Sequence, residues 1–300
     1  MIYPNEISRK LGSARLATAG LLLFALLSPA RVGAHADLMI QIDLITQEIE
    51  KDPGNAEAYL QRGQLRREHS DFEMAHVDIE KAYSLAPHLA KIDLMRGRLF
   101  LDWGWPLSSR ACLDRFLARQ PKNVDALVLR ARALSRLEQR RASVQDYDLA
   151  LSLSTEPGPD LYVERAQMLI SEEKEQWAEA LRGLDEGLQR LGPLVTLQLF
   201  AIDAELKLKN YDGALVRVDK IAARSPRKET WLSRRAEILV QAGRPDEARS
   251  AYESALTALQ VLPATRRNVP AMQELSRRIQ KELGALRAGA GGAAVSSQKP

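Results

Sequence analysis

The stretch that decides the fold is NAEAYLQRGQLRREHSDFEMAHVDIEKAYSLAP, Asn55 to Pro87. It holds two amphipathic runs separated by Ser70-Asp71, a turn pair, and closes on a proline that stops helix propagation. Gly63 sits in the middle of the first run and Ala75 early in the second, where small side chains let two helices cross closely. The same arrangement returns along the chain. Gly63, Gly97 and Ala131 are 34 residues apart, and so are Ala75, Ser109 and Ser143. After a three-residue expansion the small column resumes as Ala180, Ala214 and Ala248, again at 34. A fixed period of this length means that one supersecondary unit is stacked repeatedly, each copy burying a face it could not bury alone.

Other columns keep the phase. Pro87, Pro121 and Pro226 close units, with Pro53 ending a preceding half-unit. A core column runs Ile79, Leu113, Tyr147, Leu184, Val218 and Tyr252, each followed by an acid: Glu80, Asp114, Asp148, Asp185, Asp219 and Glu253. The plain reading of the acids is a solvated outer face, the alternative a partner-facing one. A column of arginines (Arg62, Arg96, Arg130, Arg165 and Arg235) stands just before the small residue of each first helix. Arg62 and Arg130 lie at equal offsets from Asp78 and Asp146, which suggests ion pairs inside a unit.

These residues resemble the tetratricopeptide repeat (TPR) family. Tyr59, Gly63, Phe72, Ala75, Ala82 and Pro87 match its signature spacing, and ETWLSRRAEILVQAGRPDEARSAYESAL repeats the match with Ala236, Gly243, Ala248, Tyr252 and Ala255. The similarity covers Ala56 to Leu262. It implies an all-α, right-handed solenoid of about six helix-turn-helix units, near 56–89, 90–123, 124–157, 158–194, 195–228 and 229–262. Phe116, Ile221 and Ile202 depart from the pattern by placing bulk where small residues are usual. A half-repeat helix over 37–55 leads in, a polar-faced helix over 268–287 caps the far end, and the Gly, Ala and Ser-rich tail 288–300 is expected to be disordered. The expansion Ser154-Thr155-Glu156-Pro157-Gly158-Pro159 reads as a bent linker across which the stack continues.

Composition narrows the function. The chain is 45% apolar and 27% charged, so it is globular, and only 5% aromatic, with helix formers dominant. Three of the four net positive charges fall in residues 1–36, leaving a nearly neutral body with no basic face for nucleic acid. Within that segment Arg9, Lys10 and Arg15 precede the apolar run Leu16 to Leu27, and Ala34-His35-Ala36 offers small residues at a cleavage site. This reads as an export signal, residues 1–36, cleaved after Ala36, so that the mature chain is periplasmic or secreted with no membrane span; a retained anchor is the alternative. Cys112, the lone cysteine, reads as a buried small hydrophobe.

Catalytic motifs are wanting. His69, His76 and His88 are spaced at 7 and 12 and do not share a helical turn, and no phosphate loop, nucleophile elbow or H-E-x-x-H is present. No enzyme activity, metal or cofactor is expected. The resemblance implies instead that first helices line a concave groove holding a protein or peptide. Faces expected to point inward carry Leu94, Met95, Arg98 and Leu101, then Val128, Leu129, Arg132 and Arg136, then Val163, Gln167 and Ile170, an exposed apolar floor with cations suited to an acidic partner. Of these Leu94, Arg98, Leu101, Val128, Arg132, Arg136 and Gln167 are the candidate partner-binding residues, with Trp105 as a further anchor. The carboxylate clamp of the family's co-chaperones is not carried over, because every asparagine falls in the leader, a turn or a loop. Self-association or envelope docking through the ends or the convex face is the other reading.

Overall fold

The computed structural model describes the backbone of residues 29–170 and 174–296, and the side chains of residues 37–170 and 176–288. Among these residues there are fifteen helices and no strand. α1 (Pro29–Lys51) leads into six antiparallel pairs. They are α2 (Ala56–Glu68) with α3 (Phe72–Leu85), α4 (Ala90–Asp102) with α5 (Pro106–Arg119), and α6 (Val124–Arg136) with α7 (Arg140–Leu153). Then come α8 (Pro159–Leu169) with α9 (Lys174–Leu191), α10 (Val195–Lys207) with α11 (Tyr211–Arg224), and α12 (Lys228–Gln241) with α13 (Pro245–Val261). A single turn, α14 (Ala264–Arg267), precedes α15 (Pro270–Ser296), which packs on α13. α1 starts upstream of the expected cleavage point after Ala36, while the proposed leader's apolar run lies outside the described residues. Trimming at Ala36 would leave Asp37 in the first turn, where an acid complements the helix dipole.

The pairs are set by local chemistry. Asn55, Asp71, Asn123 and Asn210 accept from the backbone N–H groups of Ala58 (3.1 Å), Met74 (3.3 Å), Ala126 (2.9 Å) and Gly213 (3.3 Å), satisfying donors the first turn leaves open. Pro106 and Pro245 begin α5 and α13, where a missing N–H costs nothing. The turn within a unit uses one left-handed residue: Ser70, Gly104, Glu138, Lys209 and Gly243, with φ between 59° and 86°. This is the same 34-residue register, although three of the five are not glycine and pay a backbone cost of roughly 1 kcal/mol each.

Close approach of the paired helices explains the small columns. The Ser109 hydroxyl donates to the carbonyl of Gly97 (2.7 Å) and that of Ser143 to Ala131 (2.8 Å), two fully buried bonds at one structural position. A Cβ on Gly97 would lie 2.6 Å from Cγ of Leu113. First helices also touch their neighbours directly at α2–α4, α4–α6 and α8–α10, forming the closer-packed inner layer of the stack. The core column is buried throughout, with Ile79, Leu113, Tyr147, Leu184, Val218 and Tyr252 all at 2% exposure or less. Bulky Phe116, Ile202 and Ile221 are accommodated in the core as well.

The acid column does more than face solvent. Its members are half exposed, yet every one meets an arginine further along the chain: Glu80 with Arg96 (2.6 Å), Asp114 with Arg130 (2.9 Å), Asp148 with Arg165, Asp185 with Arg217 (2.8 Å), Asp219 with Arg235 (3.3 Å) and Glu253 with Arg287 (3.9 Å). The arginine column therefore works between units. It also works within them, as Arg62 pairs with Asp78 (2.7 Å) and Arg130 with Asp146 (2.7 Å). Asp78 is 1% exposed and also binds Arg66 (2.8 Å), so the pair is not the surface contact its sequence setting suggests.

α15 continues to Ser296, nine residues past Arg287, over a segment rich in alanine. Extending a helix already anchored on α13 adds one hydrogen bond per residue without a new nucleus, which explains why Gly and Ser there do not end it.

Candidate functional site: a lined depression and a second cleft

The inward-facing candidates do not form an exposed apolar floor. Leu101, Val128, Met95 and Leu129 are buried in the core, while Leu94 and Val163 are half-buried and packed against it. First-helix side chains that look inward by phase are consumed by the neighbouring first helix, because the inner layer is the tight one.

Three candidates do converge. Arg132, Arg136 and Gln167 line one depression of about 340 Å³ between α6 and α8, together with Ser135, Tyr147, Glu164 and Met168. Its wall is a charge network. Arg132 donates to Glu164 (2.9 and 3.0 Å) and to Asp160 (3.0 Å), and the Tyr147 hydroxyl donates to Glu164 (2.7 Å). Burial, then the hydrogen bond to the Glu164 carboxylate, pushes the Tyr147 phenol well above its ordinary range. Hydrogen bonding to Glu164 likewise raises Arg132. Arg136 donates to the carbonyl of Leu101, and Arg98 pairs with Asp125. All three candidate arginines are thus engaged within the chain, which removes the free cationic surface expected for an acidic partner. Gln167 stands exposed at the rim. Tyr147 and Glu164 are site residues that the sequence reading passed over, Tyr147 because it sits in a core column.

Trp105 belongs elsewhere. It is 37% exposed and stacks on Trp103 (4.1 Å between centroids, 14° between planes) and on Phe100 (5.7 Å). His76 joins this cluster against Phe100 (5.6 Å) and Trp103 (6.2 Å), so it is packed on aromatic faces rather than simply solvated. Cys112 is buried, and burial pushes its thiol up, opposed by the nearby Arg115 guanidinium. Among the described residues no group of three or more His, Cys, Asp or Glu could hold a metal ion. Nor, among them, is any helix long and apolar enough to cross a membrane.

A larger cleft, about 670 Å³, opens between α10, the end of α11 and the start of α12. Val195, Ile221 and Trp231 give it apolar walls, with Lys220, Arg224 and Arg227 around them. No sequence motif marks it.

Six stacked helix pairs with small-residue crossings, five of them with a left-handed turn residue at one register, decide the architecture. This is an all-α solenoid of stacked helix pairs, the fold of solved tetratricopeptide-repeat (TPR) structures. A family model described as tetratricopeptide repeat matches residues 199–263. Solved TPR structures share the fold: the C-terminal part of a TPR repeat-containing protein from Cytophaga hutchinsonii is 14% identical, with 78% of this chain and 95% of that one covered at a TM-score of 0.60. YrrB, described as a TPR protein with an unusual peptide-binding site, is 19% identical, covering 61% and 92% at 0.51. A tetratricopeptide repeat protein from Parabacteroides merdae is 16% identical, covering 84% and 95% at 0.50. No curated protein matches the chain. At these identities the likeness concerns the TPR solenoid itself.

Proposed function

We propose that the protein is a non-catalytic TPR scaffold, exported by its N-terminal leader, that holds a protein or peptide partner on the inner layer of the stack. The observation that carries this is the depression at Arg132, Arg136 and Gln167. It is open to solvent, it lies on the inner layer, and its polar groups are held in fixed positions by Glu164 and Tyr147. Preorganised donors and acceptors of this kind recognise a polar backbone with little ordering cost. The peptide-binding site named for YrrB supports the reading. Because the arginines are already paired, the partner is selected by hydrogen bonding and shape more than by net charge.

Gln167→Trp fills the depression without removing an ion pair. A cross-linked pull-down with the full chain is expected to capture a partner with the wild type and lose it with this variant at unchanged melting temperature. Equal capture by both moves the function off this surface. Appearance of the exported chain with an N-terminus at Asp37, read by intact mass, tests the leader.

A second reading is favoured at the N-terminal end. Met39, Ile40 and Leu44 of α1 are all about half exposed, beside a hollow lined by Leu44, Ile45 and Leu65. An apolar end on a solenoid is a surface for stacking, either on another copy or on an assembly partner. Sedimentation of wild type against Ile40→Glu, Leu44→Glu over a range of concentrations decides between them: loss of a concentration-dependent species in the variant supports assembly, and a monomer throughout removes it.

A further inference from the structure

The cleft between α10 and α12 is lined differently from the depression on α6 and α8: Val195, Ile221 and Trp231 wall it where Arg132, Glu164 and Gln167 wall the other. First helices touch at α2–α4, α4–α6 and α8–α10, whereas between α10 and α12 a cleft of about 670 Å³ opens, about twice the volume of the α6–α8 depression. Val195 of its wall stands 48% exposed, and Leu194 and Leu199, close to it in sequence, are 36% and 42% exposed. Such a run of uncovered aliphatic side chains is costly in water unless something covers it. The floor carries Gln198, 7% exposed, whose Oε1 accepts from Arg217 (3.4 Å), so what its amide has left to offer the cleft is a donor.

Charge sets the occupant. Arg227 is engaged by Glu229 (3.5 Å). Lys220 and Arg224 are exposed and have no acidic partner among the described residues, although they stand at i and i+4 on α11, the spacing at which like charges repel. An apolar cleft with a donor on its floor and two unneutralised cations at its edge complements an apolar side chain flanked by carboxylates. We propose that this cleft is a second docking site, separate from the α6–α8 depression, for an extended peptide segment in which a bulky apolar residue is bordered by acidic ones. Lys220 and Arg224 take the acids, and the walls at Val195, Ile221 and Trp231 take the apolar side chain.

The probe is a fluorescein-labelled peptide with Trp-Leu between two pairs of glutamates, read by fluorescence anisotropy against the full chain. Saturable binding is expected, weakened about tenfold by Lys220→Gln with Arg224→Gln, weakened again by raised salt, and unaffected by Gln167→Trp. A companion peptide with lysines for glutamates is expected to bind at least about tenfold more weakly. Benzophenone placed at the Trp position should cross-link to residues 193–199 or 225–231. Both substituted side chains are exposed, and circular dichroism checks that the double variant folds. Absence of binding, equal binding by the charge variant, equal binding of the lysine peptide, or cross-links confined to residues 132–168 each overturns the proposal. So does saturable binding of laurate in place of the peptide, which would make the cleft a site for a small amphiphile.

Discussion

Two places where this solenoid departs from regularity are of opposite kinds. At 154–159 the sequence breaks its 34-residue register, yet one apolar cluster runs unbroken from Leu101 on α4 to Ala201 on α10. Arg165 still bridges backward to Asp148 and forward to Glu179 (2.9 Å), and Arg190 ties the linker down through the carbonyls of Leu151, Ser154 and Thr155. Between the fourth and sixth units the register is perfect, with Ala180, Ala214 and Ala248 at 34. There the apolar core divides between Ala201 and Ile202, as it also does on α4 between Leu99 and Leu101. Ala201 stands where an arginine is expected, so the bridge to Asp185 comes from Arg217 on the second helix. Arg217 also draws Glu205 (3.2 Å) and Gln198 (3.4 Å) into a buried polar network, and the α10–α12 cleft opens beside it. Repeat length counts residues between helices; continuity of packing depends on which side chains fill the space, and the two vary independently.

The contrast can be broken by substitution. Leu184→Ala, at 1% exposure in the continuous cluster, should cost about 3 kcal/mol in denaturant unfolding, and native-state hydrogen exchange should then rise on both sides of 154–159 together. Exchange that rises on one side only would mean that the linker, not 201/202, divides the stack. Glu205→Ala removes the partner of Asn210 (2.6 Å) and Arg217 and should cost about 2 kcal/mol, with faster exchange concentrated in α10 to α15. Lys209→Gly relieves a left-handed residue (φ 59°) at that same weaker region and should add roughly 0.5–1 kcal/mol, restoring protection to α10 and α11. Doubling the 154–159 linker with Gly and Ser should have the smallest effect, about 0.6 kcal/mol of loop entropy, provided that packing and not chain length holds the junction.

Much of the fold was legible because its signals are local. Gly97 and Ser109 mark a crossing wherever they recur at the same spacing, and Asn123 marks a helix start from its own side chain. The site was less so. Leu101 and Val128 have the right phase to face inward, but phase gives the direction of a side chain and not whether the next helix already occupies that space. Arg98, Arg132 and Arg136 read as free cations, since Asp125, Glu164 and Asp160 stand 27 to 32 residues away and nothing local joins them. The acid column was visible as a column, while its arginine partners became evident only once successive units were set side by side.

The sequence by itself determined the repeat, its helices, their turns and the crossing of each pair, because these follow from propensity, caps and small side chains within about 34 residues. The tertiary structure decided which inward faces remain open, which charges are spent on neighbouring units, and where the core divides. Those properties depend on distances between units, and a repeating pattern assigns equivalent positions without saying how closely successive copies approach.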